Sequence, residues 1–532
     1  MMQVRQFSPG NCCAPQNRNV RPSSKYSEYS SVGLPSFASL ATFPDENELI
    51  GQRCYCSAVL IAAPEVRIPP RDAVERALVD LDRTLGPSKV DTSETGRLAH
   101  ANDESEATGR LPDAVVYAKG RDDIAAVLAI GEKHCVPITP RAGGTGRTGG
   151  AVPVAGGIVL ATHTMSKVLE ISKTDLLAVV EPGVITDEFH AAVEAEGLFY
   201  PPDPNSLKTC MIGGNVAENA GGPRAFKYGV TREYVLGLET CLMGGRIVRS
   251  GKRTVKGVTG YDVTALLIGS EGTLGVFSEI TLKLVPKPDE LATILALYAD
   301  VRQAADAVQR LIANGLVPRC LELMDGPTLD AIRKQGVPVD ARANSMLLIE
   351  VDGLALDATI ERLADSLTQG GDAIDVVAAQ DAAQRARLWE ARRMLSPATR
   401  KLAKYKLSED IVVPRSRLVD LFTEVERIGD ETGVRHLTYG HAGDGNLHVN
   451  FLWNDEADKP AVDRAIDALM HATVRLGGTL TGEHGIGVLK AAYLPIEQSQ
   501  QLITLQQDLK RVFDPKGLLN PGKIFPTGHT AC

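Results

Sequence analysis

The sequence predicts an α+β fold, and three of its features support this prediction. A glycine-dense loop at 140–153 follows a short apolar run, but turn residues and a second apolar run come after it instead of a helix. Beyond residue 288, short strand patterns alternate with amphipathic helical patterns. The sequence Pro-Lys-Pro at 286–288 separates the two regions, because proline interrupts regular structure. One domain is therefore expected around the loop and a second domain after residue 286.

The composition excludes several functional classes. With 532 residues, the chain can hold two or three domains with large cores. Its net charge of −9 argues against nucleic acid as a partner. No apolar run approaches the roughly 18 residues of a membrane-spanning helix. The nine cysteines are scattered without a Cys-x-x-Cys pair, which favours reduced thiols and excludes a four-cysteine iron–sulfur motif. We expect a cytoplasmic protein, with peripheral attachment to a membrane as the alternative.

The glycine loop is the most informative stretch of the chain. It contains five glycines between residues 140 and 153, and glycine lets a ligand lie against the backbone. The N–H groups of such a loop suit an anion such as a pyrophosphate. Gly144, Gly146 and Gly149 also match the nicotinamide fingerprint, but that fingerprint needs a helix directly after it. The loop is interpreted as a dinucleotide site in another fold, with a purely structural turn as the alternative.

Regular patterns begin near residue 71, whereas 1–70 is rich in Ser, Pro and Asn and is predicted to be a disordered N-terminal extension. In the first domain, the apolar periods predict helices at 71–85, 121–134 and 186–196 and strands at 112–118, 136–139, 157–161, 177–181 and 278–285. In the second domain, they predict strands at 291–298, 319–324, 346–352 and 374–379 and helices at 301–313, 326–335, 357–369 and 381–394. Such alternation on a small sheet suits a ferredoxin-like arrangement.

Two further glycine clusters follow the first loop. The sequence PPDPNS at 201–206 leads into TCMIGGNVAENAGG at 209–222, and GSEGTLGV lies at 269–276. A second glycine-rich segment in one domain indicates that the backbone approaches a ligand closely twice. Two unrelated turns are the alternative explanation.

These three motifs, in this order, resemble the flavin domain shared by relatives of vanillyl-alcohol oxidase and p-cresol methylhydroxylase. The closer resemblance, over roughly 95–526, is to the FAD-linked D-2-hydroxy acid dehydrogenases: cytochrome-type D-lactate dehydrogenase, the glycolate oxidase D-subunit and D-2-hydroxyglutarate dehydrogenase. The resemblance implies an FAD-binding domain with two subdomains, of the p-cresol methylhydroxylase type, and a ferredoxin-like cap domain. It divides the chain into the extension at 1–70, the FAD domain at 71–286, the cap at 287–480 and a C-terminal segment at 481–532 that returns to the FAD domain.

The resemblance also implies which residues bind the cofactor. Some relatives attach FAD covalently through a histidine near the first loop, but this loop has none, so noncovalent FAD is expected. The residues expected around the pyrophosphate are Arg141, Gly143, Gly144, Thr145, Gly146 and Thr148. Those expected around the flavin ring and ribityl chain are Pro202, Asp203, Thr209, Gly213, Gly214, Asn215, Asn219, Gly222, Glu271, Gly272 and Asn520.

A pair of histidines in the cap predicts a metal site. Asp444-Gly445 is a two-residue hairpin signal, and a turn there would place His441 directly opposite His448 on one face of the sheet. Two imidazoles so placed can share a divalent metal, and Glu483 in the segment 482–487 is a candidate third ligand. Imidazole and carboxylate ligands suit zinc or manganese. A tight structural loop is the alternative reading of 482–487.

The family resemblance gives Glu483 to the metal and the neighbouring His484 to acid–base chemistry. By the same resemblance Arg392, Ser396 and Lys406 match substrate-binding positions, and an arginine offers a two-pronged donor for a carboxylate. A solvated helix face with ordinary salt bridges is the alternative for each of these three residues.

The sequence and the resemblance together predict FAD-dependent oxidation of a D-2-hydroxy acid to the 2-oxo acid. The leading expected substrate is D-lactate, followed by glycolate and D-2-hydroxyglutarate. The chain has no cysteine cluster and no nicotinamide site, so the electrons are expected to pass to a separate acceptor protein or quinone. A homodimer is a further expectation. Two other classes remain open, namely a flavoprotein subunit that relays electrons within a larger complex and a metal-dependent hydrolase.

Overall fold

The computed structural model describes residues 66–379, 381–393 and 395–526, without the side chains of residues 390, 391, 393, 396 and 397. The predicted N-terminal extension at 1–70 therefore lies outside the described residues, except for 66–70.

The helices of the described residues are α1 (Arg71–Leu85), α2 (Glu94–Ala99), α3 (Arg121–His134), α4 (Thr186–Ala195), α5 (Ile212–Glu218), α6 (Ala225–Tyr228), α7 (Val263–Leu267), α8 (Val301–Ala313), α9 (Gly326–Arg333), α10 (Asp357–Thr368), α11 (Ala382–Arg393), α12 (Leu395–Arg400), α13 (Leu418–Thr432), α14 (Lys459–Arg475), α15 (Leu494–Glu497) and α16 (Gln500–Phe513).

The strands are β1 (Val90–Asp91), β2 (Ala114–Tyr117), β3 (Ile138–Arg141), β4 (Ile158–Ala161), β5 (Val168–Ser172), β6 (Leu177–Val180), β7 (Leu198–Phe199), β8 (Val235–Cys241), β9 (Ile247–Gly251), β10 (Val276–Lys283), β11 (Val285–Pro286), β12 (Glu290–Tyr298), β13 (Cys320–Asp325), β14 (Ser345–Gly353), β15 (Ala373–Ala378), β16 (Tyr405–Val412), β17 (Arg435–His441) and β18 (Asn446–Trp453).

The first domain contains two main sheets, and each has its own core. The first sheet has the order β1-β2-β4-β3, with parallel pairing of β4 to both β2 and β3. Helix α1 buries Ala73, Val74, Ala77 and Leu81 on one face, as its helical period predicts, and this face joins the core of the first sheet. The second sheet is antiparallel with the order β5-β6-β10-β8-β9. This arrangement confirms the predicted α+β class.

The cap is built on one seven-stranded sheet with the order β15-β12-β14-β13-β17-β18-β16, paired antiparallel throughout. Four of its strands lie side by side in the order β15-β12-β14-β13. Numbered along the chain, these are the fourth, first, third and second strands of the cap, which is the ferredoxin-like arrangement that the sequence predicts. Apolar side chains pack on both faces of the sheet. Because both faces are buried, charged side chains inside these strands need partners, and such residues lie at the candidate site.

The C-terminal segment contacts the strand that leads into the glycine loop. Leu519 forms a parallel bridge with Ile138 in β3, and the backbone N–H of Asn520 donates to the Ile138 carbonyl oxygen at 2.7 Å. The last part of the described chain therefore lies beside the first glycine loop. Among the helices that the structure describes, none combines the length and apolarity needed to cross a membrane.

Candidate active site

A cavity of about 1400 Å³ lies where both glycine segments face the cap. Of the residues predicted to bind the cofactor, those that line this cavity are Arg141, Gly143, Gly144, Thr145, Gly146, Thr148, Asp203, Thr209, Gly213, Gly214, Asn215, Glu271 and Gly272. Pro202, Asn219, Gly222 and Asn520 are not part of the lining. The cavity is large enough for a dinucleotide together with a small substrate.

The glycines of the first loop are needed because the two glycine segments approach each other closely. A Cβ at Gly143 would lie 2.7 Å from the Thr209 carbonyl oxygen, a distance that real Cβ atoms do not adopt. Gly144 has a φ of 67°, where side chains are strained, and its added Cβ would overlap the Arg141 guanidinium. Arg141 itself is fixed because its Nη1 donates to the Asn102 carbonyl oxygen at 2.7 Å. These contacts leave the backbone of the loop exposed to the cavity, as an FAD pyrophosphate requires.

The four predicted cofactor residues outside the cavity lining contact the segments that form it, and three of them are in the first domain. The Pro202 carbonyl oxygen accepts from His190 Nε2 at 2.9 Å, and the Asn219 side-chain oxygen accepts from the Arg232 backbone N–H at 2.9 Å. A Cβ at Gly222 would lie 2.5 Å from the Asp203 carbonyl oxygen.

Asn520 is the fourth supporting residue and is 2% exposed. Its side-chain amide donates to the carbonyl oxygens of Gly150 and Glu271 at 2.9 and 2.8 Å. These four residues therefore do not face the cavity themselves, but position the segments that line it.

The hairpin that holds the two histidines differs from the predicted hairpin. Strands β17 and β18 pair His441 with Asn446 and Tyr439 with His448, so the turn spans four residues, 442–445, and not the two predicted. The Gly445 N–H donates to the His441 carbonyl oxygen at 3.2 Å, and Gly445 has a φ of 86°. His441 and His448 are therefore diagonal neighbours, which still share one face of the sheet because side chains alternate with a period of two. Their ring centroids lie 5.6 Å apart.

The predicted metal ligands come together in space. One atom from each of His441, His448 and Glu483 lies within 4.8 Å of the other two. Oε1 of Glu483 is 3.7 Å from His441 Nε2 and 3.6 Å from His448 Nε2. Two ligands bound at about 2.1 Å to a tetrahedral zinc ion are about 3.4 Å apart, so this spacing fits a metal ion.

The hydrogen bonds around the cluster also fit a metal ion. His441 Nε2 is buried without a hydrogen-bond partner among the described residues. His448, Asp410 and His484 form a second close triad. We favour the first triad, because Asp410 Oδ2 already accepts hydrogen bonds from the Thr481 hydroxyl and from the N–H groups of residues 482, 483 and 484, at 2.8–3.0 Å.

The pKa values of the two histidines are shifted in opposite directions. Burial lowers the pKa of His448 to about 3, which leaves its imidazole neutral, the form that a metal ion binds. Burial would also lower the pKa of His441, but the charges of Glu322 and Glu483 outweigh it and raise this pKa well above its ordinary value. Burial would raise the pKa of Glu322, but the charges of His441 and Arg392 outweigh burial and lower this pKa to about 2. A metal ion bound at this cluster would have to displace a proton from His441.

His484 lies beside this cluster and lines the cavity. Its ring stacks on that of His448 with the planes 8° apart and the centroids 5.4 Å apart. Its carbonyl oxygen accepts from the Thr148 hydroxyl at 2.9 Å, so the first glycine loop and the predicted base are directly connected. The ring of His484 therefore packs on a predicted metal ligand, and its backbone is bonded to the first glycine loop.

Two of the three predicted substrate residues face the same cavity. Arg392 is buried in α11, and Lys406 lies in β16 with its Nζ donating to the Thr399 hydroxyl at 2.9 Å. The Arg392 guanidinium lies 5.3 Å and the Lys406 Nζ 5.9 Å from the ring centroid of Tyr439, so both cations contact the same aromatic ring. Burial lowers the pKa of Lys406. The side chain of Ser396 lies outside the described part of the chain, although its backbone belongs to α12.

Sequence reasoning missed two carboxylates that hold the site together. Asp410 and Glu322 are each 0% exposed. Asp410 holds the segment 482–484, whereas Glu322 bonds His441 and Arg392. The available signal was an acidic residue inside an apolar strand pattern, since a buried carboxylate needs specific partners.

Comparisons with known proteins agree with this geometry. Residues 112–251 match the family model described as FAD binding domain, and residues 287–524 match FAD linked oxidases, C-terminal domain. The chain is 43% identical over 454 residues to the glycolate oxidase subunit GlcD of Bacillus subtilis, a match that covers 84% of this chain and 96% of that protein.

More distant relatives carry other substrate names. The chain is 32% identical to a D-lactate dehydrogenase of Anaerostipes hadrus, which covers 84% of this chain and 97% of that protein. It is 31% identical to a D-2-hydroxyglutarate dehydrogenase of Stutzerimonas stutzeri, with 84% and 99% covered.

Among solved structures, p-cresol methylhydroxylase has the same fold, with a TM-score of 0.72 at 15% identity over 87% of this chain and 99% of that one. The chain therefore belongs to the family of FAD-linked D-2-hydroxy acid dehydrogenases, with the fold of p-cresol methylhydroxylase, and it is an FAD-dependent oxidoreductase of hydroxy acids.

Proposed function

We propose that the protein oxidises a small D-2-hydroxy acid to the 2-oxo acid, with D-lactate as the leading substrate. The observation that supports this most is the position of His484, stacked on His448 within the same cavity that the glycine segments line. A base beside a metal-ligand cluster and a flavin pocket suits removal of a hydroxyl proton together with a hydride. An electron-relay subunit would not need the base and the metal-ligand cluster, and a metal-dependent hydrolase would not need the flavin pocket.

In this proposal, each group of predicted site residues has a separate role. Arg392 and Lys406 are cations in the cavity wall and would bind the substrate carboxylate. Noncovalent FAD would accept the hydride equivalent, and a divalent ion on His441, His448 and Glu483, zinc or else manganese, would polarise the substrate oxygens. His484 would take the hydroxyl proton. Burial of the cluster would exclude water while this happens.

Glycolate is the second candidate substrate, because the relatives named for it have identities of 43% and 36% to this chain. Glycolate lacks the methyl group of lactate, and one methyl group in a pocket is worth about 1–3 kcal/mol of discrimination. Those relatives are named as subunits, which supports our proposal that the reduced flavin passes its electrons to a separate protein or quinone. A homodimer and a cytoplasmic location are parts of the same proposal.

Metal depletion tests the proposal. Protein that is treated with a chelator should keep its flavin, lose turnover of the D-2-hydroxy acid and recover it when zinc or manganese is added. His441→Ala should lose turnover and zinc together. His436→Gln is a matched control, because His436 lies in the same strand and is not part of the metal-ligand cluster. Full activity in metal-free protein would contradict the proposed role of the ion.

A further inference from the structure

We propose that Glu322 is a positioning residue that fixes both a metal ligand and the carboxylate-binding arginine. This inference rests on the proposed function above. Glu322 lies in β13 with no exposed surface. Its Oε1 is 2.5 Å from His441 Nδ1, and its Oε2 is 2.6 Å from Arg392 Nε. Each oxygen therefore holds one of the two predicted functional side chains.

The register of the sheet brings Glu322 to this position. In the cap sheet β13 pairs with β17, and Glu322 is directly opposite His441. The pair is set by backbone pairing of two strands inside a doubly covered sheet, and not by a flexible loop. A buried carboxylate is costly unless its oxygens are paired, and here both oxygens are used on functional residues.

For His441, the contact fixes the tautomer. An Nδ1–H that donates to Glu322 directs the Nε2 atom towards Glu483, where it lies 3.7 Å from Oε1. Nε2 has no hydrogen-bond partner within the described part of the chain, so its lone pair is available once the ring is neutral. Carboxylates that accept from the distal N–H of a ligating histidine orient it and raise its basicity.

For Arg392, the contact fixes the direction of the guanidinium. The Nε–H donates to Glu322, and the central carbon of the guanidinium lies over the Tyr439 ring, 5.3 Å from its centroid. The terminal Nη2 has no partner among the described residues although it is buried. Nη2 is thus left as a charged donor for a carboxylate.

A simpler role for Glu322 would be to neutralise a buried arginine. The neighbouring strand β14 contains a carboxylate in that situation. Glu350 Oε1 lies 3.3 Å from Arg319 Nε, and Oε2 accepts from Trp389 Nε1 at 2.9 Å. Glu350 is equally a buried strand residue with an arginine partner, but no hydrogen bond or ion pair found for it among the described residues involves a predicted metal ligand. It is therefore the matched control.

The experiment compares Glu322→Gln with Glu350→Gln in the full-length flavoprotein. Zinc affinity is measured by competition with a chromophoric chelator, the ligand field by the visible spectrum of the cobalt-substituted protein, and turnover by KM and kcat for the D-2-hydroxy acid. Glu322→Gln should weaken zinc binding by about 10–100-fold, change the cobalt spectrum and raise KM, because second-layer partners of metal ligands have effects of this size. Glu350→Gln should leave zinc affinity within about twofold of the wild type.

A double variant covers the case in which Glu322→Gln leaves an unpaired buried arginine and does not fold. Glu322→Gln with Arg392→Met removes both charges at similar volume. Zinc binding should remain weak in this variant, since the partner of His441 Nδ1 is still altered. Wild-type zinc affinity in either Glu322 variant would overturn the positioning role and leave the proposed function intact. Wild-type protein that binds neither zinc nor manganese would overturn the proposed role of the ion, and this inference with it.

Discussion

The imidazole rings of His484 and His448 lie parallel, with their planes 8° apart and their centroids 5.4 Å apart. A side chain predicted to move a proton is therefore packed flat against a side chain predicted to bind a metal ion. Within the described part of the chain, no hydrogen bond to the His484 ring nitrogens accompanies this stacking, and the carboxylate of Asp410 lies 3.9 Å from Nδ1. The two roles are adjacent in space but belong to separate residues, so mutation should separate them.

Replacement of His484 by alanine should remove proton transfer and spare the metal ion. We expect kcat to fall by about 10²–10⁴-fold, the usual contribution of a positioned base. Flavin and zinc content should stay at wild-type levels when measured by absorbance and metal analysis. His471→Ala, on the exposed side of α14, is the control and should leave kcat, flavin content and zinc content unchanged. Loss of zinc together with activity would instead make His484 a metal ligand.

Replacement of Asp410 by alanine should loosen the segment that carries Glu483 and His484. Three backbone N–H groups and the Thr481 hydroxyl would lose their shared acceptor. Each unsatisfied buried donor costs about 1–3 kcal/mol, so we expect the free energy of unfolding to fall by more than about 3 kcal/mol, with weaker zinc binding. Denaturant unfolding and metal titration measure these effects. Asp410→Asn keeps one oxygen as acceptor and should lose less stability; equal losses would contradict the account.

Replacement of Gly222 by alanine should weaken FAD binding although Gly222 does not line the cavity. Its φ is 131°, and the new Cβ would lie 2.5 Å from the Asp203 carbonyl oxygen, so the segment that faces the cavity must shift. We expect at least about a tenfold weaker FAD affinity in reconstitution of the apoprotein. Gly197→Ala is the control, because its φ of 74° is also strained but no atom lies within 4 Å of the added Cβ. Equal effects of both changes would attribute the loss to backbone strain alone.

His190 should make stability depend on pH between about 4 and 6.5. Burial and the nearby Arg224 lower the pKa of His190 to about 4, from 6.5 in the unfolded chain. Between these values the unfolded state binds one more proton than the folded state, so the free energy of unfolding rises with pH there, by up to about 1.4 kcal/mol per unit. The stability is present above pH 6.5 and is lost as the pH falls towards 4.

The measurement for this prediction is urea unfolding at half-unit pH steps for the wild type and for His190→Gln. Glutamine keeps a donor for the Pro202 carbonyl oxygen but cannot titrate. The difference in unfolding free energy between the two proteins should therefore change with pH in this window. A constant difference would show that His190 does not titrate as described.

Much of the fold could be predicted because its apolar periods are regular. Helices α1 and α3 have the predicted bounds, and the four ferredoxin-like strands lie within a residue or two of their predicted positions. Helix α5 was not predicted, because Gly213 and Gly214 inside it lower helix propensity and indicate a loop. There the contacts of a close-packed segment outweighed local preference.

The site was predictable where a motif combined several functional side chains. His441, His448, Glu483 and His484 lie together as expected, even though the register of the hairpin was wrong by two residues. The error did not separate the histidines, because a shift by two residues keeps both side chains on the same face. The partners of these residues depend on which strands pair across the sheet. No local pattern in the sequence contains that information.

The central claim is that one cavity oxidises a D-2-hydroxy acid with a flavin. The most direct measurement is an anaerobic titration of the purified protein, in which the flavin absorption is followed while D-lactate, L-lactate, glycolate, D-2-hydroxyglutarate and NADH are added separately. We predict that a D-2-hydroxy acid or glycolate bleaches the flavin band, that L-lactate and NADH do not, and that a chelator abolishes the bleaching. A yellow protein that no acid bleaches, or a colourless protein that cannot be reconstituted with FAD, would contradict the account.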